Sequence, residues 1–166
     1  MPRTSVLTGA ASGIGKATKD LLEQRGERVI GVDIHDAEVV VDLSTAEGRA
    51  ALVQEAGRIS GGSIDAVYAV AGLAVPAPAT VAVNYFGTVA TLEGLRPLLA
   101  GSEAPRAVLV SSMAALLPSD HELVALLTEG DEAAAMARAT CARSYPRPTL
   151  FSSRAWKNVN KTVSPQ

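Results

Sequence analysis

Three glycines set in Thr8, Gly9, Ala10, Ala11, Ser12, Gly13, Ile14, Gly15 are the residues whose types and spacing point most directly to chemistry. They follow a short apolar run, Ser5, Val6, Leu7, and lead into the helix-prone Lys16, Ala17, Thr18, Lys19, Asp20, Leu21, Leu22. A strand, a glycine turn and a helix in that order make a phosphate cradle. Gly9 can form the tight turn, Gly13 can let a pyrophosphate reach the backbone, and Gly15 can let the helix pack close to the strand. The unpaired N–H groups and positive dipole end of the helix then face the phosphates. The same glycines also suit a purely structural turn, so the surroundings must decide.

Asp33 is the first of those surroundings. It closes a second apolar run, Arg28, Val29, Ile30, Gly31, Val32, about twenty residues beyond the last glycine. A carboxylate there accepts both ribose hydroxyl protons of an adenosine and repels a 2′-phosphate, which selects NAD over NADP. No arginine stands at Ser12 or Ile34 to welcome the extra phosphate. The competing reading of Asp33 is a strand-end turn residue.

The elements that position these residues follow in order. Gly26 caps the first helix. Glu38 to Val41 is a short apolar run that reads as a third strand, with Asp42 and Leu43 at its carboxyl end. In an open parallel sheet that end borders the ligand crevice, so the pair either flanks the adenine or, for Asp42, caps the strand. Ser44 and Glu47 have capping-box spacing and predict a helix from Ser44 to about Ile59, broken by Gly61 and Gly62. Ile64 to Val70 reads as a fourth strand running into Ala71 and Gly72, small residues that suit a nucleotide ribose or a close-packed turn. After a proline loop, a long helix is expected from Thr80 to Leu99, carrying Asn84, Tyr85, Phe86, Gly87 near its middle, with Pro97 disturbing only its last turn. Arg106 to Val110 is the fifth strand, ending in Ser111 and Ser112. Asp120 to Arg138 is helix-prone, broken at Gly130 and Asp131. Alternating strands and helices imply an α/β fold: a doubly wound parallel sheet, order 3-2-1-4-5, with helices on both faces. Strand five then becomes an exposed apolar edge, which predicts instability, aggregation or a covering partner.

Composition narrows the class. At 166 residues and 48% hydrophobic content, the chain can bury one sizeable core. It contains no apolar run of about twenty residues and no secretory leader before the first strand, so a cytoplasmic location without membrane insertion is expected. Cys141 is the single cysteine, which excludes an internal disulfide or a cysteine-based zinc site. His35 and His121 lack metal-ligand spacing, and no metal is expected. The net charge of −2 hides an asymmetry: residues 1–139 hold ten Lys/Arg and all seventeen Asp/Glu, while residues 140–166 hold five Lys/Arg and no acid.

The residues resemble the classical short-chain dehydrogenase/reductase family. The resemblance runs through Thr8–Gly15, Asp33, Asp42 and Leu43, Ala71 and Gly72, Asn84 and the strand end at Ser111 and Ser112, in family order across residues 4–139. Gly31–Val39, Asp42–Arg49 and Val83–Gly87 look closer still to its 3α-hydroxysteroid dehydrogenase/carbonyl reductase branch. The family's Asn-Asn-Ala-Gly is Ala69, Val70, Ala71, Gly72 here. The resemblance implies a truncated Rossmann-type domain over residues 1–139, an NAD cofactor, and a small-molecule alcohol or ketone as substrate. It leaves room for a homo-oligomer and implies no nucleic acid. By resemblance Ser112 hydrogen-bonds the substrate oxygen and Asn84 anchors a water. The family's catalytic tyrosine needs an ammonium from a lysine four residues later, because a tyrosine alone has a pKa near 10. Here Tyr68, Tyr85 and Tyr145 are followed at that distance by Gly72, Val89 and Thr149.

The resemblance stops at about Ala139. Thr140 to Gln166 has no glycine and no acid, holds the single Trp156, and shows no clear periodicity. A shifted reading frame or an unrelated replacement accounts for such a tail, with disorder as its expected state. A basic tail for nucleic acid or membrane is the rival reading, weakened by scattered charges without an aromatic pattern.

Overall fold

The structure is a computed structural model describing residues 2–75, 77–112, 118 and 120–141. The predicted tail, Tyr145 included, lies outside the described residues apart from Thr140 and Cys141. The chain forms two compact units, one built from Met1–Ala71 and Ala90–Val110, the other from Gly72–Val89 and the residues from Ser111 on.

The first unit is a parallel sheet ordered β3-β2-β1-β4-β5, as the alternation of strands and helices required, with helices around it. Its strands are β1 (Thr4–Thr8), β2 (Arg28–Asp33), β3 (Val39–Val40), β4 (Ala66–Ala69) and β5 (Arg106–Leu109). Every neighbouring pair is parallel; Val6 stands beside Ile30 on one side and Val67 on the other. In β1, Ser5 to Thr8 are all buried, which shows both faces of the central strand covered. Helix α1 (Gly13–Gln24) packs on β1 and β2, where Leu22 joins Leu7, Ala10 and Val29. Helix α2 (Ala46–Ser60) packs on β2 and β3 and buries Leu52 completely.

At the opposite side β5 pairs only with β4 among the described residues. Arg106, Ala107 and Val108 are exposed, and Val110 just beyond is too. This is the open apolar edge anticipated from the order of strands.

Two local boundaries differ from the sequence reading. The cap of α2 is Thr45 rather than Ser44: the Thr45 hydroxyl accepts the Gly48 N–H at 3.0 Å, while the Ser44 N–H is taken by Asp42 at 2.8 Å. The long helix is also not uniform. It starts as α3 (Pro78–Val81), widens into a π-helical turn over Ala82–Gly87, and continues as α4 (Thr88–Leu99).

The second unit contains α3, that turn, α5 (His121–Glu129) and α6 (Glu132–Cys141). Val81, Tyr85, Leu123, Leu127 and Ala135 form its buried core. Asp120 starts α5 by accepting the Glu122 and Leu123 N–H groups, and it also binds the Arg138 guanidinium of α6 at 2.8 Å. Gly130, in left-handed backbone at φ 80°, ends α5 at the predicted break. The Arg138 hydrogen bond, together with the helix N–H groups and against partial burial, holds the Asp120 carboxyl below its ordinary 3.8. A depressed folded-state pKa contributes stability that is complete above the unfolded value and is lost as pH falls through the folded one. Asp120→Ala is therefore expected to cost about 1–2 kcal/mol at neutral pH, the value of a helix cap. It also flattens the fall in stability below pH 4, readable by denaturant unfolding at pH 7 and pH 3.

Candidate functional site

The glycine turn and the end of β2 are joined backbone to backbone. The Val32 carbonyl accepts the Gly9 N–H at 2.8 Å and the Ala10 N–H at 3.2 Å. The Asp33 carboxylate completes the junction: Oδ2 accepts the Ala11 N–H at 2.9 Å and Oδ1 the Ile34 N–H at 2.7 Å. These two bonds fix the plane of the acid at the mouth of the turn. Its remaining lone pairs can accept hydroxyl protons.

Helix α1 begins at the same mouth. Ser12, its cap, is extended and makes no side-chain capping bond, and the first turn contains no acid. The first intrahelical bond is donated by Lys16 to Ser12, so the Gly13, Ile14 and Gly15 N–H groups have no carbonyl partner within the helix. This end therefore carries the uncompensated positive pole of the helix. Gly13 has φ 52°, and a Cβ built on it meets nothing within 4 Å. A cradle of this shape fits a pyrophosphate. Gly15 differs: its Cβ would be driven into the Gly9 carbonyl, 2.6 Å from the Gly9 carbonyl carbon. Gly15 is thus a close contact between the helix and the glycine turn that leaves β1, rather than with the strand itself.

Thr8 and Ala71 meet across β1 and β4. The Thr8 hydroxyl accepts the Val70 and Ala71 N–H groups, each at 3.1 Å, and the Ala71 backbone lies against Gly9. Thr8 itself is buried, so its hydroxyl shapes the floor of the crevice. Ile14 and Ile34 are 65% and 62% exposed, two large apolar side chains on the lips of the same turn. Leu43 is buried, its side chain given to the core. The Asp42 carboxyl is held below its ordinary value by hydrogen bonds from the Ser44 side chain and N–H, as in a strand-end cap.

Gly72, Asn84 and Ser112 belong to the second unit. Gly72 and Ser112 are exposed. Asn84, in the π-helical turn, has both side-chain atoms engaged by one residue: Nδ2 donates to the Leu73 carbonyl at 2.9 Å and Oδ1 accepts the Leu73 N–H at 2.8 Å. The amide thus clamps the loop that precedes α3. Tyr85 is buried in the core of this unit, and burial pushes its phenol up. Tyr68, in β4, is pushed up by burial and then by Glu27. Both behave as packing residues, as read from the sequence.

Sequence reasoning passed over two side chains beside the turn. Glu38 accepts the Gly31 N–H and an ammonium hydrogen of Lys19. The signal for them was Gly31 itself, because a glycine inside a strand marks a close approach.

Comparison with known proteins fits this geometry. A family model described as short chain dehydrogenase matches residues 3–124. A 3-alpha-hydroxysteroid dehydrogenase/carbonyl reductase of Comamonas testosteroni is 40% identical over 137 residues, covering 80% of this chain and 53% of that protein. The crystal structure of the 3-alpha-hydroxysteroid dehydrogenase from Pseudomonas sp. B-0831, complexed with NADH, is 37% identical. It superposes with a TM-score of 0.84 over 96% of this chain and 63% of its own. The aldohexose dehydrogenase of Thermoplasma acidophilum, in ligand-free form, is 25% identical with a TM-score of 0.62, over 69% of this chain and 51% of its own. The chain spans about half the length of the curated relative that it matches.

Proposed function

Because the chain belongs to the short-chain dehydrogenase family, we propose that its first unit binds NAD(H) and that it derives from an oxidoreductase interconverting secondary alcohols and ketones, steroid-like ones included. The observation that carries this reading is the Asp33 carboxylate, fixed by Ala11 and Ile34 at the mouth of the glycine turn. There it accepts the hydroxyl protons of the adenosine ribose and repels a 2′-phosphate. The N–H groups that open α1 take the pyrophosphate, which approaches over Gly13. Ile14 and Ile34 supply apolar surface around the nucleotide. The cofactor, when bound, supplies or accepts the hydride.

Ser112 donates a hydrogen bond to the substrate oxygen in this reading. Asn84, its amide bonded to Leu73, anchors a water in this reading. The proton donor is the missing part: none of the chain's tyrosines is followed by a lysine four residues on. General acid–base help is worth about 10²–10⁴ in rate. The chain as written therefore binds cofactor and turns over little, and the absent pair favours a second reading, a nucleotide-binding or interaction module without chemistry.

Titration of NADH fluorescence, paired with NADH-dependent reduction of a model cyclic ketone, tests both readings. Saturable binding with turnover near background is the expected result. Carbonyl reduction that disappears in Ser112→Ala would refute the loss of chemistry, and a correctly folded chain that does not bind NADH would refute the whole reading.

A further inference from the structure

Glu38 ends the loop that leaves β2 at Asp33, and its carboxylate turns back toward the sheet. Oε2 accepts the Gly31 N–H at 2.8 Å and Oε1 accepts from Lys19 Nζ at 2.6 Å. In β2, Val32 presents its carbonyl to the glycine turn on the β1 side, so the Gly31 N–H points to the β3 side. Strand β3 pairs only from Val32 onward, and Glu38 supplies the acceptor that the short strand does not. A side chain at position 31 has no room: its Cβ would lie 2.6 Å from Glu38 Oε2 and 2.8 Å from Ala10 Cβ. The Lys19 side chain is 18% exposed, and its ammonium stands between two carboxylates, 2.6 Å from Glu38 and 3.8 Å from Glu23. Partial burial works to raise the Glu38 pKa. The hydrogen bonds from Lys19 and two backbone N–H groups outweigh it and hold the carboxyl below its ordinary value.

These contacts close a ring. From the glycine turn the chain runs along α1 to Lys19, crosses to Glu38, returns through residues 37–34 to Asp33, and rejoins the turn at the Ala11 N–H. The loop between Asp33 and Glu38 is thus latched by a carboxylate at each end. Between the latches stand exposed Ile34 and Asp36, the latter in left-handed backbone at φ 48°. Asp is among the residues that tolerate this region, so Asp36 turns the loop back between its two held ends.

We propose that Glu38, anchored by Lys19, is a positioning residue for adenosine recognition: it holds the far end of the loop so that Asp33 and Ile34 keep one orientation toward the nucleotide. The proposal rests on the first unit being an NAD(H) site. Without Glu38 the loop must be ordered when the adenosine arrives, and that cost appears as lost affinity.

The test uses the full 166-residue chain, with ADP-ribose titrated by calorimetry and thermal unfolding recorded alongside. Glu38→Ala and Lys19→Met are each expected to weaken ADP-ribose binding about tenfold, which corresponds to roughly 1.4 kcal/mol. Glu38→Gln, which keeps an acceptor for Gly31, recovers part of the loss. Because Glu38 acts through Asp33 and Ile34, adding Glu38→Ala to Asp33→Asn is expected to produce a smaller further loss than Glu38→Ala alone, the remainder carried by Ile34. Wild-type affinity in both Glu38→Ala and Lys19→Met overturns the proposal. So does a loss of equal size with and without Asp33→Asn, which marks general loosening. If Glu38→Ala does not fold, Lys19→Met and Glu38→Gln carry the same comparison. Wild-type chain that is folded and binds neither NADH nor ADP-ribose overturns the NAD(H) reading itself.

Discussion

Asp33→Ala is expected to weaken NADH binding by at least about a hundredfold and to narrow the gap between NADH and NADPH. The size follows from hydrogen bonds to a charged acceptor, each worth about 1.5–3 kcal/mol, of which the ribose can make two. The narrowing follows from charge, since the same carboxylate that accepts hydroxyl protons repels a 2′-phosphate. The fold survives, because Asp33 ends β2 and is only partly buried. The residue also stops gripping Ala11, so part of the loss reflects a less ordered turn. Fluorescence titration of both cofactors reads the effect, and equal NADH affinity in the variant and the wild type contradicts it.

Gly15→Ala and Gly13→Ala separate two demands placed on the same turn. At Gly15 the new methyl is forced into the Gly9 carbonyl, which is backbone and cannot swing aside. Helix α1 must lift from the turn, at a cost of about 3 kcal/mol, the upper range for overpacking a close contact. At Gly13 the methyl meets no protein atom within 4 Å, and the penalty is the left-handed backbone, about 1 kcal/mol. Stability therefore falls steeply in the first variant and slightly in the second. Binding is expected to behave differently: Gly13→Ala loses most of its NADH affinity while remaining folded, because its methyl occupies the approach of the pyrophosphate. Denaturant midpoints and NADH titrations on the two proteins give both comparisons. A Gly13→Ala protein that binds NADH normally places the phosphates elsewhere.

Much of the first unit was legible because its signals are local and redundant. The glycine turn, the apolar run closing at Asp33, and Gly26 and Gly61 as helix stops each named an element by spacing alone. Alternation of strands and helices then imposed the order of the sheet. The α2 cap was misread by one residue because Ser44 and Thr45 are both good caps, and the choice fell to Asp42, whose carboxylate takes the Ser44 N–H. The π-helical turn at Ala82–Gly87 leaves no mark in an apolar pattern, since one extra residue shifts the period only briefly. Asn84 was readable as a special residue, but its bond partners on Leu73 depend on how the preceding loop returns. Glu38 was hidden by its neighbours, three valines that made it look like the first residue of a strand.

The contacts proposed to hold the adenosine are assembled from partners close in sequence. Ala11 and Asp33 are 22 residues apart, Lys19 and Glu38 only 19, whereas Thr8 must wait for Val70 and Ala71, more than 60 residues on. Closing short loops costs little chain entropy and happens early. During refolding, the amides of β1, α1 and β2 should thus gain exchange protection ahead of β4. The acid proposed to select the nucleotide is then in place while β4 is still forming.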